Sequence, residues 1–357
     1  MRLIKNILFS VIVASLFLIA IELASHLYFF IRYHKVYSGK IFEYDVEKAY
    51  RLRTNYSGSF AGKPVRTNRF GYRDYDISLE KPESTLRVLA VGDSITFGDG
   101  VLGEEAYPKQ LENMLNSRIK EFRFNVINTA TPGNLPFQEY YDLKRGLKFK
   151  PDIVIIQFTL NDIVRPSMAY RMYGEGMGGC SGVAGLNSKV LIRADDYLDN
   201  HSAFYSSLKS LLIRFKIIER YMIQETDISE DLVYRRNDPE ISKAWSECLF
   251  WAQKKVDLCK EKGIPCILLI SPYKFQLDLS YDQAYPQKEL REFAAKNKIE
   301  CVDLLYNLKK TARKVSESYF LDQNHYSSQG HAFIATLIYP LIEKYVQESN
   351  KLKGSFY

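Results

Sequence analysis

Apolar and polar positions divide the chain into three regimes. From Ile7 to Ile31 nearly every residue is apolar, interrupted by Glu22, His26 and a few small polar groups. A helix of that length crosses a hydrocarbon core about 30 Å thick. Residues 32–85 are rich in Tyr, Arg, Gly and Asn and weakly periodic, which reads as a juxtamembrane segment of short strands and turns. From residue 86 onward, short apolar runs alternate with amphipathic stretches. Leu86–Val91, Phe124–Thr129, Ile153–Thr159, Ile264–Ile270 and Glu300–Leu305 read as five buried parallel strands. Tyr107–Ile119, Pro136–Leu147, Ile241–Lys262 and Gln287–Lys298 read as the helices between them. Ser328–Gln347 reads as a closing helix, with Ser327 or Ser328 as its cap. This alternation predicts an α/β protein with a parallel sheet in a three-layer α/β/α sandwich.

The expected organisation is a transmembrane segment at 1–31, the juxtamembrane segment 32–85, a sheet domain at 86–347 and a tail at 348–357. Residues 164–240 interrupt the alternation as an insertion. Its Met172–Gly185 stretch is Gly-rich and reads as a loop. Its Ser202–Ile223 stretch sets Phe204, Tyr205, Leu208, Leu211, Leu212, Phe215, Ile218 and Tyr221 at helical spacing, which reads as a core-packing face. The insertion leaves from the strand end that carries Asn161, where it is placed to act as a lid or substrate wall.

Composition refines this picture. A 46% hydrophobic and 25% charged chain of 357 residues is globular in character. The net charge of +7 is spread without a Lys/Arg block, so the charge pattern gives no nucleic-acid footprint. Arg2 and Lys5 precede the apolar segment, and Arg32 and Lys35 follow it. The segment reads as a signal anchor, with the N-terminus in the cytosol and the large domain outside, periplasmic or at the cell surface. The alternative is a cleaved signal peptide, whose apolar region is shorter and ends in a small-x-small site that is missing here. Glu22 reads as an interfacial group. Cys180, Cys248, Cys259, Cys266 and Cys301 have no metal-ligand spacing, and Gly92–Gly98 lacks both the phosphate-loop lysine and the dinucleotide glycine spacing. Neither a metal nor another cofactor is expected.

The candidate chemistry lies where strands end, because the carboxyl ends of parallel strands share one edge. Ser94 follows the first strand, Asn128–Asn134 with Gly133 the second, Asn161 and Asp162 the third, and Asp322 and His325 come after the fifth. A serine hydroxyl is a nucleophile only if a base removes its proton. His325 suits that role, and Asp322, three residues earlier, suits the role of holding the imidazole in one tautomer. The Ser94 amide, the Gly133 amide and the Asn161 side-chain amide are candidate oxyanion donors, one such donor being worth about 3 kcal/mol in the transition state. Taken singly each residue is ordinary. Gly133 after Thr131-Pro132 suits a turn, Asn161-Asp162 suit a cap, and Asp93 reads as a cap rather than an acid. His331 reads as structural, since six residues place it off the face of His325.

With these blocks in order, the chain resembles the SGNH or GDSL-type serine hydrolases over roughly residues 66–345, in a membrane-anchored form. The blocks are Gly92-Asp93-Ser94-Ile95-Thr96-Phe97-Gly98, Asn128–Asn134, Thr159-Leu160-Asn161-Asp162 and Asp322-Gln323-Asn324-His325. Thr159 stands where the third block usually has glycine. Asn68-Arg69-Phe70-Gly71-Tyr72-Arg73 is similar to a segment that precedes the first block in membrane-anchored relatives. The resemblance implies a flavodoxin-like fold of strand order 2-1-3-4-5. It implies an acyl-ester hydrolase acting outside the membrane on an O-acylated envelope glycan or a lipid-like ester. The rival readings are an O-acyltransferase that modifies a surface polysaccharide with the same three residues, and a glycan-binding protein on an inactive hydrolase fold.

Overall fold

The computed structural model describes residues 2–33, 39–163, 189–215, 229–235, 237–279 and 284–354. In chain order it begins with helix α1 Arg2–Tyr33, strands β1 Phe42–Asp45, β2 Ala49–Leu52, β3 Ser57–Phe60, β4 Lys63–Arg66 and β5 Thr85–Val91, and the short helix α2 Ser94–Phe97. Then come α3 Tyr107–Arg118, β6 Arg123–Asn128, α4 Pro136–Gly146, β7 Ile153–Thr159, α5 Lys189–His201, α6 Ala203–Arg214, α7 Ser229–Tyr234 and α8 Pro239–Glu261. The last part holds β8 Cys266–Ser271, α9 Tyr285–Asn297, β9 Glu300–Asp303, α10 Leu304–Lys309, α11 Arg313–Ser318 and α12 Ser328–Gly354. These elements form two compact units, one of residues 1–53 with 171–223, the other of 54–170 with 224–357.

The larger unit is built on a five-stranded sheet in the order β6-β5-β7-β8-β9, every pair parallel. Counted within the sheet, that order is 2-1-3-4-5, the expected topology. Alternate residues of each strand point to opposite layers, as the two-residue period requires. Val88, Ala90, Ile155, Ile267 and Leu269 pack into the layer that holds Leu111, Leu115, Ile334 and Ile338 of α3 and α12. Leu89, Val91, Val154, Ile156, Leu268 and Ile270 pack into the opposite layer with Leu143, Trp245, Val256 and Leu290 of α4, α8 and α9. Strands buried on both faces explain the continuous apolar runs in the sequence. The hairpin β3–β4 belongs to this unit, outside the sheet.

The last expected strand ends early. Glu300–Leu305 is not all strand: Asp303 accepts hydrogen bonds from the Leu305 and Tyr306 amides at 3.0 and 3.3 Å and starts α10. Such an N-cap ends the strand where the apolar pattern alone continues it. Ser327 caps the last helix, accepting from the Gly330 amide at 3.2 Å.

The smaller unit holds α1, the hairpin β1–β2, α5 and α6. Here the expected core face of 202–223 holds only in part, with Phe204, Tyr205 and Leu212 half-buried. Leu208, Leu211 and Phe215 are exposed, while Lys209 is buried among Asp195 and Asp199 of α5. The inward side of α6 is thus set by ion pairing and not by its apolar stripe. Ile218, Tyr221, the Gly-rich 172–185 stretch and Cys180 lie outside the described residues.

Leu89 has no exposed surface, lies on a strand with a partner on each side, and packs where Gly146 lacks a Cβ. Leu89→Ala is expected to cost about 3 kcal/mol, since the close-packed layer closes over the cavity only in part. Urea unfolding followed by circular dichroism checks it: the midpoint falls while the slope is kept.

Candidate active site

The turn after β5 is built around a missing side chain. A Cβ at Gly92 would lie 2.4 Å from both Gln157 Oε1 and Thr96 Oγ1, so a glycine is required there. The Asp93 amide and the Thr96 hydroxyl both donate to Gln157 Oε1 at 3.2 Å, which ties the turn to the neighbouring strand β7. Asp93 is fully buried and acts as the N-cap of α2, its Oδ1 accepting from the Ile95 amide at 2.9 Å. Gly98 ends α2 at φ +87°, a left-handed position that favours glycine. Ser94 is thereby fixed as the first residue of a buried turn of helix.

Arg73 holds the far side of this turn. Its guanidinium donates to the carbonyls of Phe97, Gly98 and Val101 at 3.0, 2.7 and 2.8 Å and lies 4.6 Å from the Phe97 ring centre. The upstream Asn68–Arg73 segment thus supplies a clamp on the serine turn. It is itself folded by Asn68, whose Oδ1 accepts from the Phe70 and Tyr72 amides at 2.9 and 3.1 Å. Arg73 also lines a cavity of about 690 Å³ with Arg66, Asp74, Tyr75, Glu104 and Lys109.

His325 and Asp322 arrive on the loop between α11 and α12. The loop is closed by a bridge between Phe320 and Tyr326, and the Leu321 amide donates to the His325 carbonyl at 2.8 Å. Ser94 Oγ lies 2.9 Å from His325 Nε2, and His325 Nδ1 lies 2.7 Å from Asp322 Oδ2. Asp322 Oδ1 also accepts from the Asn324 and His325 amides at 3.0 and 2.8 Å. Partial burial pushes the Asp322 carboxyl up, but the hydrogen bonds from the His325 ring and these amides outweigh it and hold the group below its ordinary range.

Gly133 and Asn161 sit past the ends of β6 and β7, the strands that flank β5 on its two sides. Gly133 occupies a turn closed by the Asn134 amide on the Thr131 carbonyl at 3.2 Å, with φ +71°. That is the third position of a type II turn, which selects glycine. Asn161 lies in a 3₁₀ turn, closed by Asp162 Oδ2 accepting from the Thr159 amide at 2.9 Å. Thr159, at the block's usual glycine position, donates its hydroxyl to the Ser271 carbonyl at 3.1 Å, so the departure is absorbed as a strand-to-strand bond. Asn161 Oδ1 is buried without a partner.

The structure therefore brings Ser94, His325 and Asp322 into one hydrogen-bonded line and sets Gly133 and Asn161 at the adjoining strand ends. Sequence reasoning missed Asp99. Its Oδ2 is 3.9 Å from His325 Nε2, on the nucleophile side of the ring. Burial, together with the Asp93 and Asp322 charges, pushes the Asp99 carboxyl up to about 7, against the pull of His325 and Arg73. The only signal for it was its place one residue past the first block. Beneath the site, burial drives Asp93 up to about 6 and Asp162 well above its ordinary value. Glu139, buried in the same cluster, pairs with the buried Lys255. His331 is structural, as expected: its Nδ1 accepts from the Tyr107 amide at 3.2 Å. Among the described residues no group of three His, Cys, Asp or Glu side chains is arranged to hold a metal ion.

The model of the GDSL-like lipase/acylhydrolase family matches residues 90–333. The chain belongs to that family. A stretch of 84 residues is 33% identical to an acetylxylan esterase of Xylanibacter ruminicola, covering 22% of this chain and 18% of the relative. The chain thus matches under a fifth of that relative's length. Among solved structures, a lipolytic protein of the G-D-S-L family from Desulfitobacterium hafniense aligns at 15% identity and TM-score 0.38, over 71% of this chain and 98% of the other. The esterase EstA of a Pseudoalteromonas species aligns at 12% identity and TM-score 0.41, over 74% of this chain and all of the other. Within the GDSL-like family match fall Ser94, Gly133, Asn161, Asp322, His325 and Asp99, whereas the Arg73 clamp lies upstream of it.

Two expectations follow from the titrating groups. Burial lowers His331 to about 3, against 6.5 for a free imidazole. The unfolded chain takes that proton first, so stability falls as the pH drops from about 6.5 to 3, by about 1.4 kcal/mol per unit. His331→Gln, which keeps an acceptor for the Tyr107 amide, should flatten the stability–pH slope by about one proton in urea titrations at pH 4–6. Asp99 is ionised above about 7 and then places a negative charge 3.9 Å from His325 Nε2, where positive charge develops as Ser94 gives up its proton. Asp99→Asn should lower kcat/KM for ester hydrolysis about tenfold at pH 8 and less at pH 6, removing a titration near neutrality from the profile.

Proposed function

We propose that this protein is a serine esterase that removes O-acyl groups from an envelope glycan, tethered to a membrane by α1. The observation that carries this reading is the line Ser94 Oγ, His325 Nε2, His325 Nδ1, Asp322 Oδ2, with links of 2.9 and 2.7 Å. In the first half-reaction Ser94 Oγ attacks the acyl carbonyl carbon while His325 Nε2 takes the hydroxyl proton. The tetrahedral oxyanion is met by the amides of Ser94 and Gly133 and the side chain of Asn161. Collapse breaks the bond to the sugar oxygen, and His325 returns the proton to that leaving alkoxide. Water then attacks the acyl-serine with His325 as base, and the free carboxylic acid departs, leaving Ser94 protonated again. Asp322 keeps Nδ1 protonated throughout.

A glycan as substrate is supported by the short match to an acetylxylan esterase. Hydrolysis is preferred to transfer to a sugar hydroxyl because the family whose model matches is one of lipases and acylhydrolases. The intact line of three residues speaks against a purely binding role. Location outside the cytoplasm rests on the 25-residue apolar span Ile4–Tyr28, mean hydropathy 2.6, none of it buried inside the protein.

The decisive experiment is hydrolysis of short-chain aryl esters and of O-acetylated oligosaccharides by the full chain and by Ser94→Ala. The variant should lose about a thousandfold in kcat with its circular dichroism unchanged. Equal rates would remove Ser94 from the chemistry. Acyl transfer to added glycan acceptors, in place of free acid, would replace the esterase with a transferase.

A further inference from the structure

Helices α5 and α6 carry their polarity the wrong way round for a pair of helices in water. Asp195 and Asp199, four residues apart on α5, are buried. The buried Lys209 of α6 reaches Asp195 at 2.7 Å and Asp199 at 3.0 Å, Tyr205 Oη donates to Asp195 at 2.7 Å, and Lys40 pairs with Asp199. The outward faces carry apolar stripes flanked by the exposed Arg193, His201 and Arg214: Leu191 and Leu198 on α5 are 52% and 41% exposed, and Leu211 and Phe215, on and just after α6, are 49% and 66% exposed. Leu191, Ala194 and Leu198 share one helical face, as do Leu208, Leu211 and Phe215. In water each half-exposed leucine forgoes part of its burial, and each buried charge carries a desolvation cost. In hydrocarbon the same arrangement is the required one, with polar groups satisfied inside and apolar groups outside.

A second, independent observation places this pair against the apolar span. Glu22 of α1 accepts from Ser202 Oγ at 2.6 Å and from the Ala203 and Phe204 amides at 2.7 and 3.3 Å. A carboxylate on one helix thus caps the N-terminus of another. His26 Nε2 lies 3.1 Å from the same carboxylate. Glu22 is six residues before Tyr28, the end of the apolar span, so α6 starts about 9 Å inside it.

We infer that α5 and α6 form an arm immersed in the bilayer, seated on α1 near the C-terminal end of its span, with lipid acyl chains covering the Leu191 and Leu211 stripes. The inference rests on the membrane-tether reading above. It adds that α1 is retained in the working protein, because Glu22 is the cap that orders the arm, and that lipid is this surface's partner.

The test uses the full chain in phosphatidylcholine–phosphatidylglycerol vesicles. A fluorescent amino acid is incorporated singly at position 12 of α1, at 211 of α6, or at 344 of α12. Quenching by acyl-chain-brominated lipid and by aqueous iodide is then compared. Positions 12 and 211 should both be quenched roughly twofold by brominated lipid and be shielded from iodide, with 344 the reverse. Glu22→Leu should cut the lipid quenching at 211 by about half while leaving 12 unchanged, and Glu22→Gln should retain most of it. Iodide quenching at 211 with lipid quenching intact at 12 overturns the arm and leaves the tether standing. Loss of lipid quenching at both positions overturns the tether and the arm with it. Photocrosslinking from 211 to a second copy of the chain, in place of lipid, also overturns the proposal.

Discussion

The hydrogen bond between Ser94 and His325 joins residues 231 apart, and most of the larger unit serves to make it 2.9 Å long. Ser94 is positioned from below by strand order. With β5 between β6 and β7, its turn can be tied to Gln157 on one neighbour and flanked by the Gly133 turn on the other. It is positioned from the side by Arg73, which satisfies three carbonyls that the end of α2 and the loop after it leave open. His325 is positioned from the opposite direction by a loop that closes on itself, its Asn324 and His325 amides donating to its own Asp322. Errors at either end would spend the alignment, because a hydrogen bond weakens steeply with angle and length.

The charges around that bond are not balanced. Asp93, Asp162 and Glu139 are buried beneath the strand ends with Lys255 as the cation among them. Burial, and then repulsion from Glu139, drives Asp93 and Asp162 toward their neutral forms, so the floor of the site holds its protons unusually well. Asp322, by contrast, stays ionised at the rim because it is hydrogen-bonded and half in water. Similar carboxyls therefore take different protonation states a short way apart, and the group kept anionic is the one that faces the imidazole. Asp99, between these extremes at about 7, is the one whose state changes in the working range.

The sheet and the line of three were legible because both are written in local pattern. A strand buried on two faces must be continuously apolar, and a parallel sheet must put its strand ends on one edge. What was not legible was long-range and polar. Nothing near Arg73 says that its guanidinium answers carbonyls 24 to 28 residues on. Asp303 ends a strand through cap bonds that the apolar run hides. Glu22 reads alone as an interfacial group, since its partners are 180 residues away.

The stripe on α6 shows where pattern reading meets its limit. Residues at helical spacing say that one face avoids water, and a protein core and a lipid tail avoid it equally well. The opposite face decides between them. A helix bound for a core turns its charges out to solvent, where they cost little. Here Lys209 turns inward and Asp195 and Asp199 come from α5 to meet it, while leucines stay on the surface beside the exposed Arg193 and Arg214. Burying three charged groups is a poor route to stability if water is available outside. It becomes the favourable arrangement when the outside is hydrocarbon, and the Glu22 cap puts the first turn of α6 at that depth on α1. The direction in which the lysine and aspartates face is thus information that a single stripe of apolar residues cannot hold.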